Sequence, residues 1–109
     1  LFDQPGDRVV PRVLRWVRAA LALDRPDDAA TLLAIYDSRA DEELPAAHPL
    51  RGEGDCLRAQ LTLRQRDVGQ ARREAISCDR MLRTFYPPAH PLVRESASLL
   101  QRLDQADRG

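Results

Sequence analysis

Apolar residues recur along this chain at steps of three and four. Val68, Ala71, Ala75, Cys78, Leu82 and Phe85 follow one another at steps of 3, 4, 3, 4 and 3, which draws a single stripe down one α-helix. No stretch alternates apolar and polar residues long enough to predict a strand. The pattern predicts an all-α protein.

The stripe also repeats. The dipeptide His-Pro stands at His48-Pro49 and at His90-Pro91, a separation of 42 residues. Moving the stripe back by 42 gives Pro26, Ala29, Leu33, Tyr36, Ala40 and Glu43. All but Glu43 are apolar, and Glu43 falls where the helix of the first unit is expected to have ended. Moving Leu57 and Leu61 forward by 42 gives Leu99 and Leu103, so the period crosses the chain without gaps. A fixed period of this size signals a stack of like units.

Five helices are predicted. The first covers about Arg8 to Leu23. The second opens at Pro26, a favourable first-turn residue, with Asp24 as its cap and Asp27 and Asp28 complementing the helix dipole. Residues Asp41 to Ala47 read as a loop around Pro45. The third helix covers Pro49 to about Arg64, and the fourth about Val68 to Phe85 with Asp67 as its cap. Tyr86-Pro87-Pro88-Ala89 cannot continue a helix. The fifth opens at Pro91 and ends near Ala106. Helix is expected for roughly 65–75% of residues, well above the globular average. Each unit is then a pair of helices, A and B, and neighbouring pairs stack to share a core that one pair cannot bury alone.

Taken together, these residues resemble the tetratricopeptide repeats of the kinesin light chain type, which carry a 42-residue period. The resemblance rests on the two His-Pro steps that open the units, Ala59 in helix A, Ala29 and Ala71 early in the B helices, and the inter-helix turn Leu63 to Ala71. Where the family usually has Gly in that turn, this chain has Asp24 and Arg66. Arg58 stands where Leu is usual, and Ala20 and Thr62 replace a large aromatic. The resemblance implies a right-handed α-α superhelix of stacked antiparallel helix pairs, about two and a half repeats long. Repeat 1 would cover about 6–47, repeat 2 about 48–89, and a half repeat or capping helix 90–109, all in one domain. It also implies a protein-interaction scaffold and no enzymatic activity. Similar repeats in bacteria are often attached to signalling proteins, including kinases and transcription regulators.

Composition narrows the function classes. Seventeen basic residues, all Arg, balance seventeen acidic ones, which argues against a nucleic-acid or anionic-membrane binder. No apolar run approaches a membrane span. The chain begins at Leu1, so it reads as a fragment of a longer, cytoplasmic protein. Cys56 and Cys78 are too few for a disulfide framework and are expected to be free thiols packed as small apolar residues. His48 and His90 are expected to cap helices rather than bind metal or catalyse. Neither a metal nor a cofactor is expected. Trp16 and Tyr36 are assigned to the core, where large aromatics bury most area. The Arg-rich run from Arg64 to Arg83 reads as a solvated face paired with Glu74 and Asp79.

The resemblance further implies a ligand groove lined by the A helices. Rows 42 residues apart place Arg18, Gln60 and Arg102 along it, with Pro11, Glu53 and Glu95 in a second row and Arg64 between Ala22 and Ala106 in a third. Leu14 and Leu21 would contribute an apolar floor. Guanidinium groups fork onto carboxylates, so the expected partner is an extended segment with acidic residues around an apolar anchor. The alternative is a structural segment that packs on its parent chain or on a second copy through open repeat edges.

Overall fold

The computed structural model describes residues 8–108. Phe2 and the start of repeat 1 at residue 6 lie outside the described residues. The elements are α1 (Val9–Ala22), α2 (Pro26–Glu43), α3 (Pro49–Arg64), α4 (Val68–Phe85) and α5 (Pro91–Arg108). Helix accounts for 83% of the described residues, more than expected, and no strand occurs among them. Consecutive helices pack on one another, and α3 also packs on α1 and α5. Thus α1, α3 and α5 lie side by side, with α2 and α4 behind them.

The stripe that revealed the period forms the core. Ala29, Leu33, Tyr36 and Ala40 of α2 are buried, and so are their equivalents Ala71, Ala75, Cys78 and Leu82 of α4. Leu57, Leu61, Leu99 and Leu103 are buried as well. Two clusters share α3. Its Leu57 and Leu61 join α1 and α2, while its Cys56 and Ala59 join α4 and α5. A helix buried on two sides must be thin where neighbours approach, and α3 carries Gly52, Gly54 and Ala59 at such places.

The inter-helix turns match the two departures from the usual Gly. Asp24 and Arg66 have φ of 57° and 66°, the left-handed conformation that Gly adopts at least cost. In both turns the next residue donates back across the helix end, Arg25 to the Ala20 carbonyl at 2.8 Å and Asp67 to that of Thr62 at 3.2 Å. Asp24 is therefore a C-terminal turn residue of α1, and α2 has Arg25 at its N-cap with no side-chain cap, contrary to expectation. Asp67 does cap α4, accepting from Gln70 N–H at 3.2 Å. Replacing Arg66 with Gly is expected to raise stability by about 1 kcal/mol, the cost an L-residue carries in this region. An unchanged urea midpoint would show that Arg66 bears no strain.

Residues 41–43 are helical rather than loop, because the end of α2 has partners on both sides. Arg51 of α3 donates to the Ala40 and Leu44 carbonyls at 3.3 and 3.0 Å, placing a cation at a helix C-terminus. Glu43 accepts from the Val9 and Val10 N–H groups at 3.1 and 3.0 Å, and so caps α1, which has no cap of its own. Burial would raise the Glu43 pKa, but the backbone N–H groups of Val10 and Val9, together with Arg39, outweigh it and hold the pKa below 4.5. A depressed carboxylate stabilises the fold fully above its unfolded value and loses that contribution as pH falls through the folded value. Glu43→Gln should therefore cost about 1–2 kcal/mol near neutral pH. That cost should shrink as pH drops below 4.5. Parallel denaturation curves at both pH values would contradict this role.

Three expectations about the core are corrected. Trp16 is 53% exposed, because α1 turns Val10, Val13, Val17 and Leu21 inward and leaves Trp16 on the opposite side. Tyr36, by contrast, is buried at 6% exposure. Phe85 is 42% exposed, at the last residue of α4 where the stripe runs out of the core. Cys56 and Cys78 are not free: they form a disulfide between α3 and α4, with Cα atoms 5.2 Å apart. Their stripes face each other across the helix pair, which spacing along the chain alone does not reveal.

Candidate functional site

Glu53, Gln60, Glu95 and Arg102 sit on helices that lie side by side, and steps of seven keep Glu53 with Gln60 and Glu95 with Arg102 on one helix face. Arg18 ties this face together. Its Nη2 lies 3.2 Å from Glu53 Oε2 and its Nη1 2.7 Å from Glu95 Oε2, so one guanidinium of α1 spans α3 to α5. Burial lowers the Arg18 pKa, and hydrogen bonding and attraction to Glu95 and Glu53 more than offset this, leaving it raised. The face is therefore held by an ionic bridge in which two carboxylates surround one cation.

Arg64 is also engaged. It pairs with Asp24 at 2.6 Å and donates to the Leu21 carbonyl at 2.7 Å, closing the C-terminal end of α1. Arg102 is exposed and makes no ion pair among the described residues. Leu14 and Leu21 are 1% and 2% exposed and belong to the core, so they form no groove floor. The expected apolar floor is absent for a simple reason. The apolar stripe of α1 is consumed by packing on α2 and α3, and Arg18 with Glu53 and Glu95 occupies the face that runs from α1 to α5.

The histidines act as helix caps. His48 Nδ1 accepts from Leu50 N–H at 3.0 Å, and His90 Nδ1 accepts from Leu92 N–H at 3.1 Å. His90 also stacks on Tyr86 with ring centroids 3.8 Å apart. Among the described residues no group of three or more His, Cys, Asp or Glu side chains is placed to hold a metal. On the Arg-rich helix α4, Asp79 pairs with Arg83 as expected, whereas Arg72 reaches Asp104 and Asp107 of α5 instead of Glu74.

On the other side of the stack, a cleft of about 340 Å³ lies between α2, α3 and α4. Tyr36, Asp37, Asp55, Arg51, Arg58 and Met81 line it. Its charges are matched within the protein: Arg58 pairs with Asp37, Arg51 with Asp41, and Asp55 accepts from Ser77 Oγ at 2.8 Å. Burial raises the Asp55 pKa, and the negative charge of Glu74 adds to it. The Tyr36 hydroxyl is pushed up to about 12 by burial and by Asp55. These groups hold helices together and leave little free valence for a ligand.

Sequence reasoning missed the outer side of α1. Trp16, Ala19 and Leu23 line a mostly apolar cleft of about 370 Å³ against Leu32 of α2. The signal was present as a second stripe at steps of three and four, hidden because the stronger stripe of valines on the same helix claims the core. No helix among the described residues is long and apolar enough to cross a membrane. No protein-family model, curated protein or solved structure matches this chain.

Proposed function

We propose that this chain is a tetratricopeptide-like scaffold, a superhelical stack of helix pairs that holds a protein or peptide partner, and not an enzyme. The observation that carries the reading is the side-by-side array of α1, α3 and α5, with Arg18, Glu53 and Glu95 linked across all three. Such an array offers an extended partner one continuous surface, and the 42-residue period places like positions in rows along it. An acidic segment remains the preferred ligand, with its anchor shifted. Arg18 and Arg64 already hold internal partners, so Arg102 is the cation of these rows that meets a carboxylate without first breaking an ion pair. Attachment to a bacterial signalling protein fits this role. The buried disulfide favours an oxidising compartment over the cytoplasm.

The test uses a fluorescein-labelled peptide with Glu residues flanking a Leu, followed by anisotropy. Arg102→Glu should leave the helical circular dichroism intact, because exposed substitutions rarely shift stability by more than about 0.5 kcal/mol. Affinity for the peptide should fall about tenfold or more, as for loss of a charge-assisted contact. An unchanged affinity would remove Arg102 from the surface and with it the acidic-ligand reading.

A second reading has its own support. The exposed Trp16 and Leu23, at 53% and 69%, suit an edge where the stack continues onto the parent chain or a second copy. Light scattering over a range of concentrations separates self-association from a monomer.

A further inference from the structure

The 42-residue period makes the exposed side of α1 interpretable, because its equivalent on α3 is occupied. The side of α3 that receives α2 includes Gly54, against which Tyr36 packs, Arg58, which pairs with Asp37, and Leu57 and Leu61, which join the α1–α2 core. Subtracting 42 from these positions gives Arg12, Trp16, Arg15 and Ala19. On α1 these four are all exposed, and with Leu23 they fall within an arc of about 100° on the helix, at 3.6 residues per turn. Helix α1 thus presents, exposed, the positions at which α3 seats a helix, and no described element covers them.

The seat differs in chemistry from its filled counterpart. Where α3 has Gly54 to admit an aromatic ring, α1 has Arg12. Where α3 has Leu57, α1 has Arg15, and where α3 has Arg58, α1 has Trp16. Arg12 and Arg15 make no ion pair among the described residues, nor does the N-cap residue Arg8 at the same end. Basic residues therefore crowd the N-terminal half of the seat, and Trp16, Ala19 and Leu23 form an apolar half. A second copy of the chain has no free helix of the α2 or α4 kind to offer, since its own α2 is covered by α3 and its own α4 by α5.

We infer that the exposed face of α1 is a docking site for an acidic amphipathic helix of a partner protein. The helix sets carboxylates against Arg12 and Arg15 and an apolar residue against Trp16. This site is separate from the face of α1, α3 and α5 and does not depend on the function proposed for it.

The repeat supplies the probe. The segment Pro26–Glu43 is the helix that fills the equivalent seat on α3, and it carries six acidic residues against one arginine. A synthetic, hydrocarbon-stapled peptide of this segment is altered to suit α1. Tyr36→Glu meets Arg12 in place of the ring, and Asp37→Leu meets Trp16 in place of the carboxylate. Trp16 is the single tryptophan of the chain, so its own fluorescence reports occupancy.

Titrating the whole protein with this peptide should shift the Trp16 emission to the blue with saturation. Affinity should fall at least tenfold in Arg12→Glu/Arg15→Glu and for a peptide whose acidic residues are exchanged for Arg. It should fall similarly in Trp16→Ala, read by anisotropy of labelled peptide, and be unchanged in Arg80→Glu, which alters an exposed arginine of α4. A loss confined to Arg102→Glu would support the other face and overturn this site. No saturable shift with peptide in excess would overturn it, as would binding that survives both α1 variants. Concentration-dependent dimers that Trp16→Ala dissolves would assign the seat to a second copy and also overturn the inference.

Discussion

Breaking the link between Cys56 and Cys78 is expected to cost roughly 3 kcal/mol of stability, the loop-closure value for a cross-link of this span. The disulfide joins positions 22 residues apart and ties α3 to α4 across their turn. In the unfolded chain it removes conformations that the reduced chain regains, and that is where most of the effect arises. Both sulfurs are in the core, with Cys56 and Cys78 at 1% and 0% exposure. Reduction keeps nearly the same atoms in place and reads the cross-link alone. Cys56→Ala/Cys78→Ala adds the loss of two buried sulfurs. A domain of this size loses about 4–8 °C in Tm per kcal/mol, so reduction should lower the melting temperature by more than about 10 °C. The double variant should melt lower still and be insensitive to reductant. Intact mass after alkylation under non-reducing conditions supplies the direct check. Two alkylated thiols in the native protein would show that the pair is not bonded and would return both cysteines to the free state expected from sequence.

Adding one methyl group at Gly54 should destabilise the protein by about 1–3 kcal/mol, although Ala is the better helix former by about 1 kcal/mol. A Cβ at this position would sit 2.5 Å from Tyr36 Cζ and 2.6 Å from its hydroxyl oxygen. The ring is 6% exposed and packed in the core, so it can yield only by tilting toward the cleft it lines and giving up part of that packing. Two effects of opposite sign compete, and the overpacking should win. A double-mutant cycle isolates it. In a Tyr36→Leu background the ring is gone, so Gly54→Ala should become neutral or stabilising, with a coupling of about 1 kcal/mol or more. Equal effects of Gly54→Ala in both backgrounds would mean that Tyr36 is not what the glycine accommodates. The same contact defines the seat on α3 from which the docking face of α1 was inferred, so this cycle also tests the equivalence on which that inference stands.

Local rules and periodicity account for most of what was legible in advance. The starts of α2, α3 and α5 follow from Pro26, Pro49 and Pro91, the two histidine caps from the His-Pro steps, and the Asp67 cap from its place before Val68. Ala29 with Ala71, and Leu33 with Ala75, belong to the core because 42 residues separate each pair and both lie on a stripe. These features depend on near neighbours in sequence, where backbone geometry and the helical period leave few alternatives. Glu43 shows the limit of that reasoning. Its side chain caps a helix more than thirty residues away, so a rule confined to one helix places it in a loop.

The sequence by itself determined the all-helical class, the five helices among the described residues, the 42-residue period and the core stripes of α2 and α4, since each is a statement about order along one dimension. Tertiary structure alone decided which side chains meet. It paired Cys56 with Cys78 and gave Arg18 both Glu53 and Glu95. It withdrew Leu14 and Leu21 into the core and left Trp16 outside. The physical reason is that α1 and α3 each carry more than one candidate packing face. The face that is buried depends on the rotation of a helix about its own axis. That rotation is set by the shapes of its neighbours, by Gly54 against Tyr36 and by valines against α2, and not by the residues within a single turn.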